Sequence, residues 1–283
     1  MSKSIVITGC STGFGRALAF HLARRGWRVF ATVRQEADAA SLLTEAMAQG
    51  FRENLMPVMC DITHEGQVKD LAKKVAGATP RLEALVNNAG TAFAAPLELL
   101  PLSELRAQLE LNVVAQLSVT QALLPLLKVA PGMIINVSSV GGKIVFPVMG
   151  AYSMSKFALE AMSDALRVEL APFGVRVVVV EPGSSPTAIW QTSLQRAEKT
   201  LDTLDMSVGR YAPLIETVKK SSLARAAKGF SPELFAETVE KILNSPNPKT
   251  RYPLPAAVTQ RILLRRWLSD EWWDKQIRKM LKW

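Results

Sequence analysis

Two residues of complementary chemistry, Tyr152 and Lys156, lie four positions apart in the sequence. Residues at this spacing share one face of a helix, so a phenol and an ammonium group can lie side by side. A free phenol, with a pKa of ~10, is a poor acid-base catalyst at neutral pH, and a nearby cation lowers that pKa. Ser139, thirteen residues before the tyrosine, could donate a hydrogen bond to a substrate oxygen. Tyr–Lys pairs arise on many helices by chance, so this pair gains its meaning from the rest of the chain.

A glycine-rich loop near the start of the chain indicates nucleotide binding. Gly9, Gly13 and Gly15 follow an apolar β-branched run and precede an apolar-periodic helical segment that stops near Gly26. Strand, glycine turn and helix in this order let backbone N–H groups and a helix N-terminus face a pyrophosphate. The spacing is G-x-x-x-G-x-G, which differs from the commoner G-x-G-x-x-G fingerprint. A tight turn without a ligand is the alternative interpretation.

Taken together, these motifs resemble those of the short-chain dehydrogenase/reductase family, and most closely its hydroxysteroid and retinol dehydrogenase branch. The family's markers appear in order and end near residue 187: Gly9/Gly13/Gly15, Asp61, Asn87-Asn88-Ala89-Gly90, Asn112, Ser139, Tyr152, Lys156 and Pro182-Gly183-Ser184-Ser185-Pro186-Thr187.

The resemblance implies a role for each matching residue. Tyr152 would be the general acid/base, Lys156 would lower its pKa and bind the nicotinamide ribose, and Ser139 would donate to the substrate oxygen, with Ser138 as a supporting hydroxyl. Asn112 would bind a water that relays protons, with a solvent-facing amide as the alternative. Asn87 and Gly90 would line the cofactor floor. The residues expected to bind the cofactor are Gly9, Ser11, Thr12, Gly13, Phe14, Gly15, Arg34, Asp61, Ile62, Asn88, Ala89, Gly90, Tyr152, Lys156, Pro182, Gly183 and Thr187.

The hydrophobic pattern predicts an α/β protein with one doubly wound Rossmann domain over residues 1–283 and a mostly parallel seven-stranded sheet. Strands are expected near 4–8, 28–33, 54–60, 82–87, 132–138, 175–181 and 250–253, and long helices near 103–128 and 151–172. Residues 188–229 are expected to form a helical substrate lid, interrupted near 211–213. Residues 249–283 form a C-terminal extension.

The end of the second predicted strand favours NADP(H) over NAD(H). An acidic residue usually holds the ribose 2′-hydroxyl of NAD at this place, and here it is Thr32. Arg34 could instead pair with the 2′-phosphate of NADP(H). The alternative is that Arg34 is a solvated surface cation.

Apolar residues around the expected reaction centre indicate a lipophilic ketone, aldehyde or alcohol, such as a steroid, retinoid or other lipid. They are Phe93, Val145, Phe146, Met149 and Trp190. Core packing is an equally good explanation for any one of them.

The sequence also gives expectations for the cellular compartment, for metal binding and for subunit assembly. The two cysteines, Cys10 and Cys60, do not make a disulfide framework and indicate a reducing compartment. The chain enters its first strand directly, so we expect a cytoplasmic protein without a signal peptide. The histidines lack ligand spacing, so no metal site is expected. The two long helices resemble the family's subunit interface, which implies a homodimer or homotetramer.

The C-terminal 35 residues carry nine Lys/Arg and three Asp/Glu, a surplus of six positive charges. The net charge of the whole chain is +9. Tryptophans and aliphatic residues alternate with these cations, which is typical of an amphipathic helix on an anionic membrane. The favoured interpretation is that the apolar side packs on this protein's own sheet or on a partner subunit, and peripheral membrane contact through 256–283 is the second. Nucleic-acid binding is not expected, because the charge is confined to one tail and no nucleic-acid motif accompanies it.

The sequence therefore predicts an NADP(H)-dependent oxidoreductase that transfers hydride between nicotinamide and a hydrophobic carbonyl/alcohol pair. The alternative is a catalytically silent NADP(H)-binding sensor or scaffold.

Overall fold

The computed structural model describes residues 2–186, 192, 193, 196 and 208–283. In these ranges seven strands form one sheet: β1 Ser4–Ile7, β2 Arg28–Val33, β3 Leu55–Met59, β4 Ala84–Asn87, β5 Met133–Val137, β6 Arg176–Pro182 and β7 Arg251–Leu254. Every neighbouring pair is parallel, in the order β3-β2-β1-β4-β5-β6-β7. The predicted doubly wound sheet is confirmed, and each predicted strand end lies within two residues of the observed one.

The described helices cover both faces of the sheet. They are α1 Gly13–Arg24, α2 Glu36–Ala48, α3 Glu65–Ala78, α4 Leu102–Leu109, α5 Ala115–Leu127, α6 Gly150–Leu170, α7 Val208–Ala227, α8 Pro232–Asn244, α9 Val258–Trp267 and α10 Asp270–Leu281. A π-helical turn, Glu110–Val114, joins α4 to α5. The predicted helix near 103–128 is therefore two helices joined by this turn.

The alternation of side chains along the strands divides the hydrophobic core into one cluster on each face of the sheet. In β1, Ile5 and Ile7 face the cluster that includes Phe235 of α8, whereas Val6 faces the cluster that includes Val119 of α5 and Leu166 of α6. Successive side chains of a strand point to opposite faces, so a strand buried on both sides must be apolar throughout. This is why the continuous apolar runs in the sequence predicted a covered parallel sheet.

The strand order places a crevice between β1 and β4. The chain leaves β1 toward β2 on one side and continues from β4 toward β5 on the other. Ligands of open α/β sheets bind at such a switch point, beyond the carboxyl ends of the strands. Gly9 and Asn88, which come just after these two strands, therefore lie at the mouth of the crevice.

The stretch Leu102–Leu127 has the length and composition of a membrane-spanning helix. In this fold its α5 portion lies over the sheet, where Ala115, Val119 and Leu123 are buried in the core. This packing accounts for the buried part of the stretch, which is 33% of its most apolar window.

The predicted lid lies partly outside the described residues. Within the described part, α7 runs from Val208 to Ala227 through Pro213, so the interruption predicted at 211–213 is wrong. An internal proline costs a helix one hydrogen bond. Leu214 and Val218, which are buried against α10, stabilise the helix enough to offset that loss.

The C-terminal extension forms two helices that differ in how they pack. Ile277 and Leu281 of α10 are buried against α7, so the apolar side packs on this protein, although on a helix and not on the sheet as predicted. In contrast, α9 contains no buried residue.

Candidate active site

Backbone geometry makes the glycine loop a tight cradle at the ends of β1 and β4. Gly9 has a φ of +70°, where side chains are strained, and its N–H donates to Oγ1 of Thr32 at 3.0 Å. A Cβ on Gly15 would lie 2.2 Å from the Gly9 carbonyl oxygen. The Asn88 amide donates to the carbonyls of Thr8 and Gly9 at 2.8 and 3.0 Å. The loop is thereby tied to three neighbouring strands.

This cradle opens into a groove of about 520 Å³. Sixteen of the seventeen predicted cofactor residues lie in the described part, and fifteen of these line the groove: Gly9, Ser11, Thr12, Gly13, Phe14, Arg34, Asp61, Ile62, Asn88, Ala89, Gly90, Tyr152, Lys156, Pro182 and Gly183. Gly15 packs against the Gly9 carbonyl, and its contact with the cofactor stays a prediction. Thr187 lies outside the described residues.

The groove fits a dinucleotide by its chemistry as well as its size. Thr12 caps α1 without a side-chain hydrogen bond to the helix, so N–H groups of the first turn are left to an anion such as a pyrophosphate. The Ser138 hydroxyl, buried on the groove wall, has no hydrogen-bond partner among the described residues. This hydroxyl is therefore available to form a hydrogen bond with a molecule bound in the groove.

Asp61 and Arg34 lie together at one end of the groove. Although burial acts in the opposite direction, hydrogen bonds from Thr63 and the charge of Arg34 lower the pKa of the Asp61 carboxyl. The Thr63 N–H and hydroxyl donate to this carboxylate at 3.0 and 2.7 Å. Asp61 is therefore a fixed anion, and the exposed Arg34 is a cation at the groove edge.

At the other end of the groove, Tyr152 lies beside Ser139. Burial raises the pKa of the Tyr152 phenol, and a hydrogen bond with Ser139 acts in the opposite direction. Ser139 Oγ also accepts from the Gly141 N–H at 3.0 Å. A Cβ on Gly141 would lie 3.1 Å from the tyrosine ring, so glycine permits this close packing.

Lys156 is buried close to the tyrosine ring. Its Nζ donates to the Val137 carbonyl at 2.8 Å and lies 5.8 Å from the centroid of the Tyr152 ring. Burial lowers the pKa of Lys156 to about 8, and the charge of Glu160 acts in the opposite direction. Burial dominates the pKa of the phenol here, and the role of the ammonium in lowering that pKa stays a prediction.

Asn112 is fully buried in the π-helical turn, so the solvent-facing alternative is wrong. Its Oδ1 accepts from the Thr91 N–H, and its Nδ2 donates to the Thr91 carbonyl and the Ser155 hydroxyl, all at 2.9 Å. Gln116, one turn later, donates to the Ala89 carbonyl. These amides hold the segment that follows β4 against α6. The water-relay role of Asn112 stays a prediction.

Asn87 does not line the groove, which corrects its predicted place on the cofactor floor. Its side-chain amide donates to the Thr120 hydroxyl and to Oδ1 of Asn136, both at 2.9 Å, and Nδ2 of Asn136 donates to the Ser163 hydroxyl at 2.8 Å. The residue crosslinks β4, β5 and two helices because a buried amide must find internal partners.

The predicted substrate residues are divided between the core and a cavity, although Phe146 and Tyr152 both pack against the cluster that contains Met149. Phe93 and Met149 are buried in separate core clusters, which corrects their assignment as pocket-lining residues. The fold gives them neighbours on every side, which their spacing from Tyr152 could not indicate. Val145 and Phe146 line a larger cavity of about 1350 Å³ between the core and the C-terminal helices. Trp190 lies outside the described residues.

A buried charge cluster, which the sequence pattern did not predict, lies next to the catalytic segment. Glu160 and Glu181 are almost fully buried, and Lys143 and Arg251 pair with both carboxylates. Burial and the neighbouring Glu160 raise the pKa of Glu181 to about 7, against the charges of the two cations. The signal in the sequence that could have revealed this cluster is Glu181, an acidic residue near the end of the apolar strand β6.

Residues 3–198 match the model of the short chain dehydrogenase family. This match covers more than half of the chain and agrees with the cradle, the groove and the Ser139–Tyr152–Lys156 arrangement. The chain belongs to the short-chain dehydrogenase family. Members bind a nicotinamide cofactor and act on alcohol and carbonyl groups, so this much applies to the present protein.

Relatives place the chain near the hydroxysteroid and retinol dehydrogenase branch. It is 34% identical to oxidoreductase YusZ of Bacillus subtilis, over 99% of each chain. It is 41% identical to human retinol dehydrogenase 5, over 70% of this chain and 60% of the human protein. A Burkholderia phymatum family member in complex with NAD has the same fold, with a TM-score of 0.80 at 23% identity over 94% and 93% of the two chains. Other similar structures hold NADP.

Proposed function

We propose that this protein is an NADP(H)-dependent reductase or dehydrogenase of hydrophobic carbonyl/alcohol pairs, such as steroid-, retinoid- or lipid-like molecules. The observation that carries the proposal is the position of Tyr152, Ser139 and Lys156 in the same groove as the glycine cradle. A proton donor and a nucleotide cradle in one groove fit a reaction that moves a hydride and a proton together.

The cofactor would supply or accept the hydride at the carbonyl carbon of the substrate. Negative charge then develops on the carbonyl oxygen, where the Ser139 hydroxyl would donate a hydrogen bond. Tyr152 would donate a proton to this oxygen during reduction and accept it during oxidation. Because burial raises the pKa of Tyr152, the phenol is protonated at neutral pH, which suits the reductive direction.

The preference for NADP(H) rests on the end of β2. Thr32 is buried and its hydroxyl is engaged by the Gly9 N–H, so no carboxylate meets the adenosine ribose at this place. Arg34 follows at the groove edge, exposed and able to meet a 2′-phosphate. Asp61 partly neutralises it, so the pairing competes with an existing charge interaction.

A hydrophobic substrate is supported by the large cavity beside the catalytic segment. Apolar side chains such as Val145, Phe146 and Ile277 line its inner part. The names of the relatives, retinol dehydrogenase 5 among them, agree with a lipophilic substrate.

Two further proposals concern the protein's state in the cell. Exposed apolar residues on α6 and on the turn before α5 support a homo-oligomer that buries Val114, Phe157 and Val168. The two cysteines are free and buried, which supports a reducing, cytoplasmic location.

The proposed activity is tested by NADPH oxidation against steroid, retinoid, aliphatic and quinone carbonyls. Turnover of one hydrophobic class, lost in Tyr152→Phe, is the expected result. Tight NADPH binding without turnover of any carbonyl would instead favour the sensor or scaffold function.

Cofactor preference is tested with Arg34→Ala and with Arg52→Ala as a matched control on an exposed arginine outside the groove. The loss of one charge-assisted phosphate contact should weaken NADPH binding by about 10- to 100-fold, corresponding to roughly 1.5–3 kcal/mol, with little change for NADH. Equal effects on both cofactors, or a similar loss in Arg52→Ala, would contradict the preference.

A further inference from the structure

The two C-terminal helices leave a set of large apolar side chains in solvent. On α9, Trp267 is 83% exposed, and Leu263 and Leu264 are each about half exposed. On α10, Trp272 and Met280 are also exposed. We refer to these five residues as the C-terminal apolar residues. Removing each of these side chains from water would be favourable, yet no described part of this chain covers them.

The packing of α10 shows which side of the extension is already occupied. Ile277 and Leu281 point inward, and Trp273 packs against the same cluster. Trp272, next to Trp273, therefore lies on the opposite, solvent-exposed side. The side of α10 that carries Ile277 and Leu281 therefore packs on the protein. The outer side, which carries Trp272, is free to contact another surface.

The turn between the two helices is held in a defined conformation. Arg265 donates to the Leu268 carbonyl at 3.2 Å, pairs with Asp270, and lies 5.6 Å from the centroid of the Trp273 ring. The side chain of Ser269 caps α10 by accepting from the Trp272 N–H. The extension therefore presents its outer residues from a pre-formed scaffold.

Cations surround the exposed tryptophans and largely lack carboxylate partners. Residues 258–283 hold seven Lys/Arg and three Asp/Glu. Among the described residues, Arg265–Asp270 is the only ion pair within this range. The cations outside that pair are Arg261, Arg266, Lys275, Arg278, Lys279 and Lys282.

This composition favours a lipid surface over a protein partner. Lysine is depleted at the centres of protein–protein interfaces, whereas three of the six cations here are lysines. Lys and Arg lie well at a bilayer surface, with stems along the apolar side chains and charges among phosphates. Tryptophan prefers the same interfacial depth.

We propose that α9 and α10 dock the protein on anionic membranes as a peripheral, interfacial surface. Trp267, Leu263 and Leu264 would enter the boundary between headgroups and acyl chains, and the cations would contact acidic headgroups. The large cavity opens beside α9, with Thr259, Ile262 and Leu263 on its wall. Docking would place this opening near the bilayer, from which a lipophilic molecule could enter.

The proposal is tested by co-sedimentation of the full chain with vesicles. One set contains phosphatidylcholine alone, and the other contains phosphatidylcholine with phosphatidylglycerol, each at low and high salt. We expect at least about tenfold stronger binding to the anionic vesicles at low salt, and a loss of most of that difference at high salt. Equal binding to both vesicle types, or no binding to either, would overturn the proposal.

Variants locate the surface. Leu264→Ser/Trp267→Ser should reduce vesicle binding about tenfold or more, because both side chains would leave the interface. Met47→Ser/Val129→Ser removes two similarly exposed apolar residues elsewhere and should bind as the original protein does. NADPH binding and the melting temperature confirm that each variant is folded, and this readout separates failure of docking from failure of the proposed enzymatic function.

A charge pair provides a second, independent variant. Lys275→Gln/Lys279→Gln should weaken binding to anionic vesicles at least tenfold, since each cation near the surface contributes about fivefold. Lys74→Gln/Lys241→Gln removes the same charge from exposed sites on α3 and α8 and should have no effect on docking, apart from a small non-specific change. If the serine variant dissociates an oligomer and the protein ignores vesicles, the surface is a contact between copies of this chain, and the proposal is wrong.

Discussion

The Nζ atom of Lys156 lies 5.8 Å from the centroid of the Tyr152 ring and donates to the Val137 carbonyl. The ammonium is thus held near the tyrosine ring by the backbone of β5. Burial then dominates both groups, raising the pKa of the tyrosine and lowering that of the lysine. The buried phenol is a proton donor at neutral pH.

Removing this donor should abolish most of the reductive activity. Tyr152→Phe should lower kcat about 10²–10⁴-fold, the usual contribution of general acid catalysis, with NADPH affinity little changed. Single-turnover NADPH oxidation separates the chemical step from binding. Tyr252→Phe is the matched control, because this phenol accepts a hydrogen bond from the Lys249 N–H away from the groove. A variant Tyr152→Phe that retains wild-type kcat would show that another group supplies the proton.

The reductive rate should depend on pH through Lys156. Its folded pKa is about 8, so the ammonium is present below that pH and lost as pH rises through it. A neutral lysine cannot stabilise the negative charge that develops during proton transfer. We therefore expect kcat/KM for reduction to be flat near neutral pH and to fall above about pH 8.

Glu160 offers a way to assign that fall to Lys156. The Glu160 charge raises the pKa of Lys156, so Glu160→Gln should move the falling limb to lower pH by a fraction of a unit to about one unit. Asp164→Asn is the control, because Asp164 shares Arg251 with Glu160 without contributing to the pKa of Lys156. An unmoved limb in Glu160→Gln would assign the fall to a different group.

Close packing of the glycine loop gives a prediction that does not depend on the reaction. The Cβ of Gly15→Ala would lie 2.2 Å from the Gly9 carbonyl oxygen, a backbone atom that cannot move freely. We expect a loss of about 1–3 kcal/mol in the free energy of unfolding and weaker NADPH binding. Thermal and urea unfolding provide the measurement.

Gly77→Ala is a matched control for this substitution. Gly77 lies in α3, and a Cβ there would meet nothing within 4 Å. Alanine should stabilise the helix by about 0.5–1 kcal/mol, because it loses less conformational entropy than glycine. Equal stability changes at both positions would contradict the close approach at Gly15.

Local signals in the sequence were sufficient to predict the sheet and the cradle. The apolar run before Gly9 and the spacing from Ser139 to Tyr152 depend on residues close together in the chain, and the observed strand bounds follow them closely. Side-chain environments depend on distant partners. Phe93 is in the core because α6 and the Leu97–Leu100 segment cover it, and Asn112 is engaged because Thr91 folds against it. The hydrophobic pattern and the residue spacing do not reveal such contacts.

At Glu181, a contact that the sequence does not reveal changes the pKa of the side chain and so the stability of the protein. It ends an apolar strand, so periodicity predicts a buried position, but only the fold shows Glu160 beside it. Burial and this second carboxylate raise the pKa of Glu181 from 4.5 to about 7. Lys143 and Arg251 counter the effect without cancelling it.

Stability should therefore decline across the window between these two pKa values. From about pH 4.5 to 7 the folded protein binds the Glu181 proton more tightly than the unfolded chain does. The free energy of unfolding consequently falls as pH rises through this window and levels off above it. Glu181→Gln cannot ionise, so its melting temperature relative to wild type should rise by about 2–6 °C between pH 5 and pH 8. Glu53→Gln, on an exposed residue before β3, should follow the wild-type curve throughout. If Glu181→Gln loses stability in parallel with wild type over this range, the Glu181 carboxyl is ionised in the folded protein throughout, and its two cationic partners outweigh its burial.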